Sequence, residues 1–224
     1  MEELTFIQHE VLPPLFRGLW ISIQLIIPSA VLGLCIGVLA GTLRVFGNRA
    51  VVMATEAYVT VFRGVPLVVQ LFIWYFGLPY IKIYLSPFAA SIIGFSLCSG
   101  AYQSEYVRGA LLSIKRGQML AAQALGFTKL QMVVSIILPQ AFRRALPGCG
   151  NEIIYLIKYS SLAYMVTCIE LTGEAKILAS HYFKYTEVFL TAGVFYLAMV
   201  SLAGWLLHYL ENRLSLPGFQ HHKA

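Results

Sequence analysis

The sequence predicts an all-α integral membrane protein. Hydrophobic residues make up 58% of its 224 residues and charged residues only 12%, whereas an average soluble domain has about 25% charged residues. The mean hydropathy is +0.74. The apolar residues also come in runs of the length that a helix needs to cross a bilayer, which is about 20 residues. These observations argue against a cytosolic enzyme, a disordered chain or a fibrous protein.

Five apolar stretches have the length of membrane-spanning helices. The first is free of charge and carries glycines at four-residue spacing. This spacing lets helices approach closely, although glycine is also common in membrane helices generally. The second is interrupted near its start by Arg63-Gly64-Val65-Pro66, the third becomes polar midway, and the fourth contains Lys158. Another apolar run, 130–138, is too short to cross, and we expect it to pack at the interface or against neighbouring helices. The predicted spans are residues 20–43, 57–78, 88–112, 153–171 and 188–210.

The distribution of basic residues predicts the orientation. Most of the 16 Lys and Arg residues fall in the first loop, in the long third loop (113–150) and in the C-terminal tail. By the positive-inside rule these parts are cytoplasmic, and the N-terminus lies outside. The net charge of +6 then reflects topology, and we expect no nucleic acid as a partner. We expect one transmembrane domain, residues 1–224. A GxxxxGK[ST] motif is absent, so the chain is not expected to hydrolyse ATP by a P-loop mechanism.

A short helix is predicted within the third loop. Residues 118–125 have good helix propensity, and Ala121, Ala122 and Leu125 share one face at helical spacing. Gly126 follows as a natural C-cap. Small residues on an exposed helix suit a partner's groove, but an amphipathic helix lying on the lipid surface fits the same pattern.

The same loop carries a family resemblance. Gly117-Gln118-x-x-Ala121-Ala122-x-Ala124-Leu125-Gly126, followed by Ile136-x-Leu138-Pro139-Gln140-Ala141-x-Arg143, resembles the EAA loop of ABC importer permeases. The nearest group is that of polar amino acid uptake, which contains the histidine, glutamine and glutamate/aspartate permeases. One position departs from the pattern: this chain has Leu120 where the family usually has Glu.

Four further segments resemble the family in the expected order along the chain. They are Arg63-Gly64-Val65-Pro66-Leu67 with Gln70-Leu71, Ala101-Tyr102-x-x-Glu105-x-x-Arg108-Gly109, Asn151 with Lys158-x-Ser160-Ser161-Leu162, and Leu210-Glu211-Asn212-Arg213-Leu214.

The resemblance implies the permease subunit of a type I importer in the bacterial inner membrane. Two permease chains, identical or different, would form a pathway of alternating access within membrane lipid. An ABC ATPase dimer would bind ATP and Mg and drive the pathway, and an extracytoplasmic amino-acid-binding protein would deliver the solute. This chain would hold no cofactor itself and would not be an enzyme. The residues implied in coupling to the ATPase are Gly117, Gln118, Ala121, Ala122, Ala124, Leu125 and Gly126.

Polar residues within the predicted spans are candidates for the translocation pathway, because an ionisable group at bilayer depth usually faces protein or water. The candidates are Arg63, Gln70, Gln103, Glu105 and Lys158. Each also has a structural interpretation. Arg63 could anchor at an interface beside the Pro66 break, Glu105 could pair with Arg108 three residues later, and the glutamines could join helices.

Two other classes of function remain open. A self-contained secondary transporter or channel would transport by itself on an ion gradient, but we detect no inverted repeat in the sequence. A membrane-embedded enzyme would need a polar catalytic pair within hydrogen-bond reach, and the chain has few His and no Asp. Four cysteines without a CxxC spacing are expected to be buried small hydrophobes. The particular amino acid or related solute cannot be read from the sequence.

Overall fold

The computed structural model describes residues 2–214, and it describes the side chains of all of these except residues 2, 4 and 116. Within this range every regular element is helical. Residues 1 and 215–224 of the predicted domain lie outside the described part. The α-helices are α1 (Glu2–Phe6), α2 (Leu12–Phe46), α3 (Arg49–Gly64), α4 (Leu67–Phe72), α5 (Pro87–Leu112), α6 (Arg116–Ala124), α7 (Lys129–Met132), α8 (Leu138–Tyr159), α9 (Leu171–Tyr182) and α10 (Tyr185–Leu214).

The first apolar stretch lies in a longer helix than the sequence suggests. A π-helical turn, Ile7–Val11, joins α1 to α2, so the helix is continuous up to Phe46. Helix α2 packs along α5 through its glycines. A Cβ at Gly37 would lie 2.6 Å from the Gln103 Cβ, and one at Gly41 would lie 2.8 Å from the Ser104 carbonyl oxygen. The glycine spacing therefore serves close packing of two backbones.

The second apolar stretch is broken where the sequence indicates. Helix α3 ends at Gly64, Pro66 precedes α4, and the two helical parts meet at an angle of 105°. The break frees backbone carbonyls, and the buried Gln70 binds two of them. Its Nε2 donates to the carbonyl oxygens of Phe62 at 2.9 Å and of Val65 at 2.8 Å. Gln70 therefore stabilises the bend.

The fourth stretch begins earlier than expected. Helix α7, a π turn (Val133–Ile137) and α8 form one continuous helical segment, so the apolar run 130–138 is the start of a long helix. Pro139 lies in the first turn of α8 and Pro147 in its interior. Pro139 lies just after the π turn, where the regular hydrogen-bond pattern of the α-helix is already interrupted. The helix therefore continues through both Pro139 and Pro147. A 3-10 turn, Ser160–Val166, then leads to α9.

Several parts of the bundle have the length and apolar composition of membrane spans. Two are single helices, Ile7–Phe46 and Tyr185–Leu214. Two others are pairs of helical segments joined by a bend. The first pair is α3 and the segment Leu67–Ile81, and the second is the segment Lys129–Val166 and α9, which meet at an angle of 55°. Helix α5 has 26 residues and lies at the centre of the bundle, against α2 and α8.

Three clusters of buried apolar residues stabilise the bundle. One lies near α6 and includes Val107, Ala122 and Ala141. A middle cluster surrounds Leu25, Phe95 and Leu156, and the third joins α2, α9 and α10 at the opposite end. Cys98, Cys149 and Cys168 are buried free thiols, as expected for small apolar residues, whereas Cys35 is exposed.

Candidate functional site

Helix α6 projects from one end of the bundle on a short loop. The end of α5 before this loop is bound by Arg144 of α8, whose Nη1 donates to the backbone oxygen of Ser113 at 2.8 Å and to the Ser113 Oγ at 2.7 Å. Beyond its carboxyl end, the Lys129 Nζ donates to the Phe46 carbonyl oxygen at the end of α2, at 2.9 Å. Residues on both sides of α6 are thus tied to other helices.

One face of α6 packs inward and the other is open. Ala122 is buried among residues of α5 and α8, and Met119 packs beside the same cluster. Leu120 is 64% exposed and Leu125 76% exposed. Of the residues implied in coupling, Ala122 therefore has no accessible surface for a partner, whereas the others are exposed: Gly117, Gln118, Ala121, Ala124, Leu125 and Gly126.

The carboxyl end of α6 is defined by a glycine turn. Gly126 has a φ of +80°, a conformation that costs other residues about 1–2 kcal/mol. The Phe127 N–H donates to the Ala122 carbonyl oxygen at 3.1 Å, which is the hydrogen bond of a Schellman cap. Thr128 and Gln131 then form a capping box that starts α7. The predicted C-cap at Gly126 is confirmed.

A second polar group surrounds Glu105 of α5. Its Oε1 accepts from the Arg44 Nη1 at 2.7 Å and lies 3.2 Å from the Arg63 Nη1. Its Oε2 accepts from the Arg108 Nε at 3.1 Å and lies 3.0 Å from the Nη2 of that residue. The predicted pairing of Glu105 with Arg108 is confirmed. This carboxylate also links α2, α3 and α5 through Arg44 and Arg63, a role that the sequence pattern did not indicate.

An open cavity of about 380 Å³ is lined by α5 and α8. Its polar lining includes Glu105, Ser113 and Arg144. The cavity therefore lies between the Glu105 group and the contact of Arg144 with Ser113.

The two glutamines among the candidates are buried. Gln103 has no exposed surface, and its Nε2 donates to the Ser99 Oγ at 3.0 Å. Gln70 is 5% exposed and binds the carbonyls at the α3–α4 break. Gln70 therefore bridges α3 and α4, whereas the hydrogen bond of Gln103 lies within α5, and neither residue lines an open surface.

Lys158 lies on an exposed, tyrosine-rich surface of α5 and α8. Its Nζ lies 4.5 Å from the centroid of the Tyr155 ring, and Tyr155 stacks on Tyr159. Tyr159 lies near Tyr102 of α5, and the Arg63 guanidinium is 5.1 Å from the centroid of the Tyr102 ring. We call this surface the tyrosine face, defined by Tyr102, Tyr106, Tyr155 and Tyr159.

A buried carboxylate outside the predicted set fixes the start of α9. Glu170 has no exposed surface. It accepts from the backbone N–H groups of Thr172 at 2.9 Å and Gly173 at 3.0 Å, and from the Tyr196 hydroxyl of α10 at 2.9 Å. The Ser22 Oγ of α2 is a further donor at 3.4 Å. Glu170 therefore holds three helices together. The sequence did offer one indication of this role. Glu170 directly precedes Leu171-Thr172-Gly173, and a negatively charged side chain is stabilising at the amino end of a helix.

Among residues 2–214, no cluster of three or more His, Cys or acidic side chains could hold a metal ion. The polar residues form ion pairs and helix caps.

Comparison with known proteins gives consistent results. Residues 33–216 match the family described as "Binding-protein-dependent transport system inner membrane component". The chain is 38% identical over 209 residues to the probable amino-acid ABC transporter permease protein YckA of Bacillus subtilis (strain 168), covering 93% of this chain and 92% of that protein. It is 34% identical over 207 residues to the glutamine transport system permease protein GlnP of Escherichia coli (strain K12), covering 92% and 94%.

Solved structures share the fold. A chain in the crystal structure of an amino acid ABC transporter with histidines superposes with a TM-score of 0.84 at 28% identity, covering 94% of this chain and 97% of that chain. A chain of the MetNI methionine ABC transporter in an inward-facing conformation superposes with a TM-score of 0.80 at 22% identity, covering 93% and 99%. The similarity to the MetNI chain, at 22% identity, is a similarity of fold alone.

Proposed function

This chain belongs to the family of binding-protein-dependent transport system inner membrane components, and we propose that it imports a polar amino acid. As a permease subunit of an ABC importer it is a transport component, and ATP is hydrolysed on a separate subunit. One observation supports this substrate class. More than nine-tenths of the chain is similar to relatives named as amino-acid and glutamine permeases.

The proposed topology has five spans within one domain, residues 1–224. They are α2, the bent α3–α4 pair, α5, the α8–α9 segment and α10. Helix α5 supports this count, because its 26 residues correspond to about 39 Å of helix, more than a hydrocarbon core of about 30 Å. The excess of Lys and Arg in the first loop, the α6 loop and the tail favours an external N-terminus and a cytoplasmic C-terminus. The hydrogen bond from Lys129 to Phe46 is consistent with the first loop and the α6 loop lying on one side.

The proposed assembly contains two permease chains, two ATPase subunits and an extracytoplasmic amino-acid-binding protein. ATP and Mg are bound by the ATPase subunits. The cations of the tyrosine face favour a second permease chain, since Arg63 and Lys158 would be costly if they faced lipid. A second chain placed against this face would enclose them in a pathway.

The exposed side of α6 is the proposed contact with the ATPase. This side presents mostly small residues to the ATPase. Its residues are Gly117, Gln118, Ala121, Ala124, Leu125 and Gly126. Ala122 would act from the inner side, by fixing α6 on α5 and α8. Ser113 before α6 and Lys129 after it are bonded to α8 and to the end of α2, so α6 would move together with these helices as one rigid element. Motion of the ATPase would then be transmitted to α5 and α8.

Arg63, Glu105 and Lys158 are the proposed residues of the translocation pathway. Glu105 lies in the last third of α5 beside the open cavity, and Arg63 and Lys158 lie on the tyrosine face, where a polar solute would need hydrogen-bonding groups. Gln70 contributes by fixing the α3–α4 break that follows Arg63, and Gln103 by packing against the glycines of α2.

The test of this function is a coupling experiment with Gly126→Trp. The permease is reconstituted in proteoliposomes with its ATPase and binding protein, and uptake and ATP turnover are measured together. No atom lies within 4 Å of a Cβ at Gly126, so a bulky side chain fits there and obstructs the α6 contact, at a backbone cost of about 1–2 kcal/mol for a residue other than glycine at a φ of +80°. We expect ATP turnover that no longer drives uptake.

The matched controls are Gly126→Ala, which carries the same backbone cost without the bulk, and Gly193→Trp in α10, which has the same bulk and open space at the Cβ. Both should transport normally. Normal uptake by Gly126→Trp would contradict the coupling role.

A further inference from the structure

One large apolar side chain stands on the outer side of α6. Leu120 lies two residues before Ala122, a rotation of about 200° around the helix, so it points away from the face that Ala122 buries against α5 and α8. Leu120 is 64% exposed. Its neighbours on the same face are Gly117, three residues before, and Ala124, four residues after. Neither has a side chain larger than a methyl group, so Leu120 forms a single apolar projection between small residues.

The charged residues around this projection are all basic. No Asp or Glu occurs in the sequence between Glu105 and Glu152. Lys115 and Lys129, which lie on either side of α6, are both exposed. Complementary charge across an interface attracts the right partner and excludes wrong ones. The surface that receives α6 is therefore expected to carry acidic groups around the contact.

The shape of the projection suits a groove in a protein better than a lipid surface. A helix that lies on a membrane presents a broad apolar face with several large side chains. Among the described side chains of the nine-residue α6, Leu120 is the one large apolar group that is exposed. A helix of this kind places its apolar anchor in a matching pocket of a partner.

We propose that Leu120 selects the ATPase partner, by requiring an apolar pocket opposite it with acidic groups around the rim. This inference rests on the proposed contact of α6 with the ATPase. The related permeases usually have Glu at this position, and a groove that fits a carboxylate presents a cation or hydrogen-bond donors there. Against Leu120 those groups would lose water without gaining a partner. Leu120 therefore favours an ATPase with an apolar pocket and disfavours one with a polar pocket.

The test is a titration of the purified ATPase subunits against the permease in lipid nanodiscs, with the dissociation constant measured for each variant at Leu120. Leu120→Met should bind within about threefold of the wild type, because it conserves volume and apolar character. Leu120→Ala should bind about tenfold more weakly, since it removes most of the buried apolar area. Leu120→Glu and Leu120→Lys should each bind at least about a hundredfold more weakly, because either charge would be buried without a partner.

The matched control is Leu130→Ala. Leu130 is also an exposed leucine, at 73%, but it lies in α7 beyond the proposed contact, and its loss should leave binding unchanged. Tighter binding by Leu120→Glu would reveal a cation in the groove and overturn the inference. Unchanged binding by Leu120→Ala would do the same, because it would place Leu120 outside the contact.

A second measurement decides between the ATPase and lipid. An environment-sensitive fluorophore is attached to Leu120→Cys in a Cys35→Ser chain, because Cys35 is the exposed native cysteine. The protein is reconstituted in vesicles of phosphatidylethanolamine and phosphatidylglycerol. We expect emission typical of water until the ATPase subunits are added, and a shift to shorter wavelength afterwards. A shift before that addition would show that α6 lies in the lipid and would overturn the inference.

ATP-driven uptake separates this failure from failure of the proposed function. If the wild-type system imports an amino acid while Leu120→Glu binds the ATPase normally, only the chemistry of the pocket is wrong. If the wild-type system imports no amino acid although the variants bind in the expected order, the proposed substrate class is wrong and the pocket is correct.

Discussion

Replacing Gly37 by alanine should push α2 and α5 apart. The added Cβ would lie 2.6 Å from the Gln103 Cβ and 3.2 Å from the Gly100 carbonyl oxygen. Nonbonded carbon atoms prefer about 3.5–4.0 Å, so the overlap is about 1 Å or more. Neither neighbour is the end of a flexible side chain, and the helix backbones must therefore shift. Overpacking of this kind costs about 1–3 kcal/mol.

The matched control is Gly193→Ala in α10, because nothing lies within 4 Å of a Cβ at that position. In a helix interior alanine is favoured over glycine by about 0.5–1 kcal/mol. Both variants share this gain, so the difference between them isolates the overlap at the α2–α5 contact.

The assay is thermal unfolding of the purified permease in detergent, at one scan rate for all variants because unfolding of such proteins is often irreversible. A chain of this size changes its midpoint by about 2–4 °C per kcal/mol. We expect Gly37→Ala to unfold at least 2 °C below Gly193→Ala. Equal midpoints would refute the close approach of α2 and α5.

The remaining predictions concern two carboxylates and use the same assay. Glu105→Gln should lower the midpoint by the equivalent of about 2 kcal/mol, because it leaves three guanidinium groups without their counter-charge in a partly solvated site. An unchanged midpoint would mean that the ion pairs contribute little. Glu170→Gln should cost about 1–3 kcal/mol, because several donors then compete for one amide oxygen in a buried site. The exposed Glu56→Gln should be neutral, and an equal loss in both variants would count against the anchoring role of Glu170.

Much of the fold was predictable from the chain because its determinants are local. Apolar runs of sufficient length indicated the helices, and Arg63-Gly64-Val65-Pro66 indicated the break before α4. Gly126 was correctly identified as a C-cap, since its positive φ is a local requirement. The continuous segment from α7 to α8 was not predicted, because the apolar run 130–138 is too short to cross a bilayer by itself. Pro139 lies within this segment just after a π turn, and such a turn is not indicated by the local residue pattern.

The candidate site was less predictable because its contacts are distant in sequence. The pair of Glu105 and Arg108 followed from helical spacing, but Arg44 reaches Glu105 from 61 residues away. Helical spacing places Ala122 on one face with Ala121 and Leu125, which are exposed. In the structure, however, Ala122 is buried against α5 and α8. Burial by another helix depends on the packing of the whole bundle, which periodicity within one short segment does not specify.

The most direct test of the account is solute uptake by the reconstituted chain with and without its ATPase. Proteoliposomes containing the permease are supplied with the binding protein and labelled amino acid, and ATP is enclosed on the ATPase side. We predict uptake only when the ATPase is present and ATP is hydrolysed. Uptake by the permease alone, driven by an ion gradient, would contradict the account and identify a self-contained transporter.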